Sequence, residues 1–325
     1  MRGRNACPTG TRQEKPETEM SYAAIREKLA RRETLLLDGA IGTEILRRNV
    51  SWADHQLANQ PDLVRGIHED YIRAGADVIS TNSFQLCRRA LYNHFRDDAH
   101  RRQIGARDLD ERAQRLLAAS VHLAQEARER AAGSRPVAVA AAVTTLEWCF
   151  RPDLAPPADQ ARREYREILE VVKEAGADLV LLETVNSISE ACAALEVAKR
   201  VGLPCWVSFV CDEQGRLFTG ETLAQAAAAL EPLGVEAILV NCAPPAYITA
   251  GIQELAAHAR VPIGAYAHIG RFDPPEWMFT DEYPPAKYRD VAAGWKQMGA
   301  LILGGCCGTT PDHIAALGAL RASPG

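Results

Sequence analysis

The sequence predicts a single (β/α)8 barrel, and three observations carry that prediction. Eight short apolar runs each end in a polar or glycine cluster and lead into a helical pattern. Such runs suit strands buried on both faces, as in a parallel sheet. A weak internal repeat marks the helix-to-strand turns. Ala74-Gly75-Ala76-Asp77 resembles Ala175-Gly176-Ala177-Asp178, and Leu233-Gly234-Val235 and Met298-Gly299-Ala300 hold the same place before later runs. A glycine there lets a helix end with positive φ. Length is the third: 325 residues suit about two ordinary domains, but an α/β barrel uses about 250 residues as one.

The elements follow in order. Residues 1 to about 20 are rich in Arg, Pro, Thr and Glu and lack the apolar stretch of a secretory signal. They are expected to form a disordered arm, with Met20 as an alternative start, ahead of one barrel domain over 21–325. The expected strands are Leu35–Leu37, Val78–Ser80, Val137–Val143, Leu179–Leu182, Cys205–Val210, Ala237–Val240, Pro262–Ala265 and Leu301–Leu303. The first helix, Leu63 to Arg73, shows an apolar stripe at Leu63, Ile67, Tyr71 and Ile72. The second, Asp110 to Arg130, has no Gly or Pro. Ala161 to Ala175, Ser189 to Arg200, Leu223 to Leu230, Ile248 to Ala259, Tyr288 to Met298 and Asp312 to Leu320 continue the series, several opening after Pro or Asp/Ser/Thr. Right-handed crossovers close eight such units into a barrel. A doubly wound open sheet has the same alternation, but the first strand lacks the Gly-x-Gly-x-x-Gly turn of that class.

Composition narrows the function classes. Hydrophobic residues at 47% and charged residues at 24% exclude wholesale disorder. A formal charge of −5 argues against a nucleic-acid binder, which needs a basic face. No apolar run approaches the roughly 20 residues that span a bilayer. Nine cysteines is an odd number in a long chain, which disfavours a disulfide-stapled secreted domain and points to reduced thiols in the cytoplasm. Oligomeric state is left open, a homo-oligomer included.

Barrel enzymes work at the C-terminal ends of their strands. Those ends read Asp38-Gly39-Ala40-Ile41-Gly42-Thr43, Thr81-Asn82-Ser83-Phe84, Glu183-Thr184, Asn241-Cys242, Tyr266-Ala267-His268 and Gly304-Gly305-Cys306-Cys307-Gly308. Two carboxylates and three thiols thus share one rim. Three cysteines suggest zinc, which three thiolates hold while a fourth position stays open. Adjacent residues of a regular strand face opposite ways, so Cys306 and Cys307 can ligate together only where the strand breaks, and Gly305 and Gly308 favour a break. Taken singly, each signal has a plainer reading. A cysteine is commonly a small buried hydrophobe, Cys306-Cys307 could form a vicinal disulfide, and Asp38 and Glu183 could cap the next helices. An aldolase-like lyase would need a lysine at a strand end, and none of the eight ends has one.

At these residues the sequence resembles the zinc-dependent homocysteine S-methyltransferase family, from about Leu35 to Leu320. The motifs are Asp38-Gly39-Ala40-Ile41-Gly42-Thr43, Thr81-Asn82-Ser83-Phe84, Glu183-Thr184, Asn241-Cys242 and Gly304-Gly305-Cys306-Cys307-Gly308-Thr309-Thr310-Pro311. The resemblance implies a (β/α)8 barrel with Cys242, Cys306 and Cys307 as Zn2+ ligands. It implies that Asp38 and Glu183 hold the amino group of homocysteine. It also implies that the backbone of Gly39 to Thr43 receives its carboxylate and that Asn82 and Tyr266 complete the substrate site. The implied reaction moves a methyl group from a small sulfonium donor, S-methylmethionine-like, to the zinc-bound thiolate of homocysteine, giving methionine. Transfer to sulfur needs a thiolate, and a free thiol with a pKa of about 8.5 is mostly protonated at pH 7. Three thiolates over-neutralise a divalent ion, so a fourth sulfur there stays electron-rich. The alternatives are a methyltransferase of the same fold that uses another thiol or donor, such as a betaine or a dimethylated sulfur compound, and a non-catalytic zinc- or thiol-binding barrel.

The donor side departs from the family. Many members carry a Gly-Ser-x-Gly-Pro-like stretch after the third strand, where this chain has Ala141 to Pro152. Many carry Asn where this chain has His268, a group that titrates near neutral pH. Trp148, Phe150, Tyr266, Phe272, Trp277, Phe279 and Tyr283 sit in the loops near this side. Aromatic faces can cage a sulfonium by cation–π attraction, with ordinary loop packing as the alternative. The Pro-rich stretch 272–285 reads as a long loop suited to a lid.

Overall fold

Eight parallel strands pair in the ring order β1-β10-β7-β6-β5-β4-β3-β2 in a computed structural model that describes residues 17–51, 54–273 and 276–322. The strands are β1 Leu35–Leu36, β2 Val78–Ser80, β3 Ala138–Val143, β4 Leu179–Val185, β5 Cys205–Phe209, β6 Ala237–Asn241, β7 Ile263–Tyr266 and β10 Ile302–Leu303. The ring closes between β1 and β2. Leu37 bridges Val78 in parallel, Asp77 N–H donates to Leu36 C=O at 2.7 Å, and Asp38 N–H donates to Val78 C=O at 3.1 Å. All eight expected strands are therefore present, and the closure excludes the open sheet.

Alternation along the strands sorts two cores. Leu35, Leu37, Val78, Ala138, Ala140, Leu179, Leu181, Trp206, Ala237, Leu239 and Ile302 pack together inside the barrel. Their neighbours Leu36, Ile79, Val139, Ala141, Val180, Leu182, Val207, Ile238 and Val240 pack outward against the helices. Trp206 is fully buried in this inner core. Gly264 allows close packing there, because a Cβ at that position would lie 2.7 Å from Ile302 Cβ. Trp206→Ala should cost about 3–5 kcal/mol, read as a lower urea midpoint at unchanged slope.

Lys28 of the first described helix and Arg321 of the last described turn meet at the N-terminal mouth. The expected arm over 1–20 needs correction at its far end. The helix Glu17–Ala30 begins inside it, and 1–16 lie outside the described residues. Tyr22, Ile25 and Leu29 of that helix join the inner core and plug the barrel from below. Tyr22 donates to Glu236 Oε2 at 2.7 Å and accepts from Trp206 Nε1 at 3.0 Å. The internal repeat also acquires a cause. Asp77 accepts Leu36 N–H at 2.9 Å, and Asp178 accepts Val139 N–H at 2.7 Å, so each repeat carboxylate locks its turn to the neighbouring strand. Asp77 further binds Lys28 Nζ at 2.8 Å and the Arg321 guanidinium. Asp77→Ala leaves that buried N–H unpaired and two cations without their carboxylate. A loss of about 3 kcal/mol is expected, seen as a lower Tm.

The helices over Pro61–Arg73, Leu109–Ala131, Ala158–Glu174, Ile188–Val201, Leu223–Leu230, Pro245–His258, Pro285–Gln297 and Pro311–Leu317 match the expected series. Besides the helix Glu17–Ala30, further elements were not expected. A helix Ile41–Arg47 follows β1 at once, and two more, Arg88–Asn93 and Asp98–Ile104, decorate the rim after β2. The stretch read as a loop after β7 opens with an antiparallel hairpin, β8 Arg271–Asp273 with β9 Glu276–Met278. Among the described residues, no helix is long and apolar enough to cross a membrane.

Candidate functional site

One cavity of about 390 Å3 opens at the C-terminal ends of the strands. All nine residues singled out from the sequence line it: Asp38, Gly39, Thr43, Asn82, Glu183, Cys242, Tyr266, Cys306 and Cys307. A larger groove of about 600 Å3 lies outside the barrel beside Arg88, Arg89 and Glu164. Its arginines are engaged by Asp110, Glu147 and Glu164, and it holds no nucleophile or ligand cluster beyond the single thiol of Cys87.

The cysteines come from two strand ends. The Sγ atoms of Cys242, Cys306 and Cys307 lie within 4.8 Å of one another. A tetrahedral Zn–S bond of about 2.3 Å places its sulfurs about 3.8 Å apart, so the donor set fits such an ion. Two backbone features build the cluster. Cys242 has φ +51°, a left-handed kink that turns it inward after β6. β10 ends at Leu303, and a turn closed by Thr309 N–H on Cys306 C=O at 3.1 Å lets adjacent cysteines face one centre. Gly305 is obligatory there, since a Cβ would lie 2.2 Å from Thr309 Oγ1. Thr43 Oγ1 accepts Gly308 N–H at 2.9 Å and pins the turn to the helix Ile41–Arg47. Hydrogen bonds from Cys242 and Cys306 pull the Cys307 thiol well below its usual range. The bonds to Cys306 and Cys307, with burial, push Cys242 well above it. The eight described cysteines are all free, and Cys7 lies outside the described residues.

The two carboxylates occupy the floor. Asp38 is 4% exposed and accepts Ser80 N–H at 2.8 Å and Ser80 Oγ at 2.9 Å. Burial pushes its pKa up to about 7 against those bonds. Burial raises Glu183 to about 8, helped by the charges of Asp38 and Cys307 and opposed by a bond from Tyr266 Oη at 3.4 Å. Among the described lining residues there is no Lys, Arg or His. A cation placed beside these two groups would favour their ionised forms.

The aromatic wall agrees only in part with expectation. Tyr266, Phe272 and Trp277 line the cavity, together with Phe84. Phe272 and Trp277 are cross-strand partners in the hairpin, so alternation brings both to one face. The other four expected aromatics pack elsewhere. Trp148 packs tilted against Phe150 at 6.3 Å and Phe150 against Phe218 at 5.8 Å, all three exposed, while Phe279 lies under Arg47 and Tyr283 under Lys287. His268 sits edge-on to Trp277 at 5.7 Å, and burial lowers its pKa. The diverged loop after β3 does not reach the cavity. It is braced from behind by Glu190 on Leu146 N–H, Tyr165 on Thr144 C=O and Asn186 on Cys149 C=O.

The bracing roles of two buried tyrosines escaped sequence reading, although Tyr71 stood in an expected apolar stripe. Tyr71 donates to Ala40 C=O at 3.0 Å, and Tyr288 donates to Gly304 C=O at 2.7 Å. Each ties the backbone of a motif loop to a helix. Their signal, a tyrosine on an apolar helical face, is indistinguishable from core packing.

Known proteins resemble this chain along nearly its whole length. The profile of the family described as Homocysteine S-methyltransferase matches residues 35–320. The homocysteine S-methyltransferase of Escherichia coli (strain K12) is 31% identical, covering 90% of this chain and 97% of its own. Homocysteine S-methyltransferase YbgG of Bacillus subtilis (strain 168) is 29% identical over 88% and 93%. The crystal structure of the metallated form of the homocysteine methyltransferase MmuM from Escherichia coli superposes with a TM-score of 0.75, at 29% identity, covering 91% of this chain and 99% of that one. A barrel with this rim, matched along nearly its whole length, belongs to the homocysteine S-methyltransferase family and is a methyltransferase.

Proposed function

We propose that the protein transfers a methyl group from a small sulfonium donor of the S-methylmethionine type to the sulfur of homocysteine, with zinc held by Cys242, Cys306 and Cys307. The observation that carries this reading is the meeting of three thiols and two buried carboxylates in one cavity whose described lining holds no basic side chain. Asp38 and Glu183 bind the amino group of the acceptor, and the backbone of Gly39–Thr43 receives its carboxylate. Asn82 and Tyr266 bound the same pocket. Zinc, when bound, supplies a centre that favours the deprotonated form of a thiol. The acceptor sulfur forms a bond to the methyl carbon while the donor's S–CH3 bond breaks, and that electron pair returns to the leaving sulfide. Fixing both reactants supplies much of the rate. The faces of Phe84, Phe272, Trp277 and Tyr266 offer a cationic donor a π-rich wall.

A panel of donors, including S-methylmethionine, glycine betaine and a dimethylated sulfur compound, tests this against homocysteine by mass spectrometry. Zinc is quantified on the same preparation. Methionine from the sulfonium donor with about one zinc per chain is expected. Turnover only with betaine or only with another thiol would reassign donor or acceptor. Bound zinc with no product from any pair would leave a binding barrel.

A further inference from the structure

Glu183 and Cys242 lie on different strands, yet one buried side chain joins their neighbourhoods. Asn241, fully buried, is the last residue of β6. Its Oδ1 accepts Thr184 N–H at 3.1 Å and Ser208 Oγ at 2.8 Å, and its Nδ2 donates to Thr184 Oγ1 at 3.0 Å. β6 and β4 are not neighbours, since β5 lies between them. The amide therefore reaches across a whole strand, with Ser208 of β5 as the intermediate contact.

Both ends of this reach are conformationally costly. Thr184 has φ +57° and Cys242 has φ +51°. The left-handed region is uncommon for any side chain and a genuine outlier for a β-branched one. Thr184 falls where the register of β4 against β5 shifts, between Leu182 and Val185. A bulge there inserts an extra residue, so consecutive residues Glu183 and Thr184 both line the cavity while Val185 returns to the outer core. The kink after Asn241 likewise turns Cys242 to the cavity. Such backbone persists only where its surroundings hold it, and the Asn241 amide makes two of the bonds that hold Thr184.

We propose that Asn241 is a positioning residue that couples the two halves of the site: by clamping the Thr184 bulge from the residue beside Cys242, it sets the aim of Glu183 and of the metal-ligating thiol together. The inference rests on the proposed roles of Glu183 and the three cysteines. It predicts that loosening the clamp harms metal binding and amino-acid binding in parallel, although Asn241 and the Thr184 hydroxyl bind neither.

Thr184→Val removes one acceptor at nearly constant shape, Thr184→Ser restores it, and Asn241→Ala removes the whole clamp. Zinc affinity is read by chelator competition and homocysteine affinity by calorimetry on the zinc-loaded full chain, with Tm and circular dichroism as folding controls. Thr184→Val should weaken both affinities about ten-fold, in the range of losses from outer-shell partners of metal sites. Thr184→Ser should return both to within about three-fold of wild type, and Asn241→Ala should exceed Thr184→Val. A folded Thr184→Val with a lower Tm but both affinities unchanged overturns the inference, as does loss of only one of the two. If Asn241→Ala does not fold, the Thr184 pair decides alone. A wild-type chain that fails to bind zinc or homocysteine counts against the proposed function; failure confined to the variants counts against the clamp.

Discussion

Cys307→Ala is expected to empty the metal site and abolish turnover. Two thiols remain, and Cys307 is the one that its neighbours' hydrogen bonds favour as a thiolate. An acceptor thiol with a pKa of about 8.5 is only a few per cent thiolate at pH 7. It also loses its fixed position, a loss that by itself can cost several orders of magnitude. The two effects together place the variant on the order of a thousand-fold or more below wild type. Zinc content, measured by plasma emission on the purified variant, should fall from about one per chain to near zero. Full activity without metal in this variant would remove the metal from the mechanism. Cys149, a thiol outside the cluster, is pushed up to about 12 by burial, with the charges of Cys307 and Glu183 adding to the rise. Cys149→Ala should keep its zinc and therefore serves as the matched control.

Glu183→Gln tests the other half of the site. A hydrogen bond to a charged group contributes about 1.5–3 kcal/mol, so the KM for homocysteine should rise roughly ten- to a hundred-fold. The maximal rate should change less, because the amino group lies away from the reacting sulfur. A pH signature accompanies the effect. Burial holds Asp38 at about 7 and Glu183 at about 8 in the free site. Both are acids with raised pKa values, so lowering the pH through 8 and then 7 protonates them and removes the charge that an ammonium needs. Homocysteine binding should therefore weaken as pH falls across this window. It should also release protons, seen as a calorimetric enthalpy that varies with the ionisation enthalpy of the buffer. Glu183→Gln should flatten the upper part of that profile. Unchanged proton release in the variant would mean that Glu183 does not titrate with the substrate.

The barrel was legible because its strands are short apolar runs. No competing pattern obscured Leu179–Leu182 or Cys205–Val210. The cysteine cluster was legible for a different reason. Cys306-Cys307 flanked by glycines cannot remain a regular strand, and the fold then decides which distant thiol joins it. The helix Ile41–Arg47 was hidden because Gly42 and Thr43 read as loop, although its N-terminal residues line the cavity. The hairpin was hidden because its strands are three residues long, mostly exposed, and separated by Pro274-Pro275. Its cross-strand register, which no periodicity over three residues can reveal, selects Phe272 and Trp277 from a larger set of loop aromatics. The helix Glu17–Ala30 could have been found, since Tyr22, Ile25 and Leu29 already form a stripe at helical spacing. Asn241 stood inside a motif, but its reach over β5 depends on which strands are neighbours.

The carboxylate of Asp77 gathers Lys28 from the first helix and Arg321 from the last turn of the described chain. The last turn of the helix Glu17–Ala30 and the last described turn are thus held by one buried carboxylate, on the face opposite the substrate mouth. Segments far apart in the sequence therefore dock cooperatively: releasing one leaves the other beside a buried carboxylate that has lost half of its counter-charge.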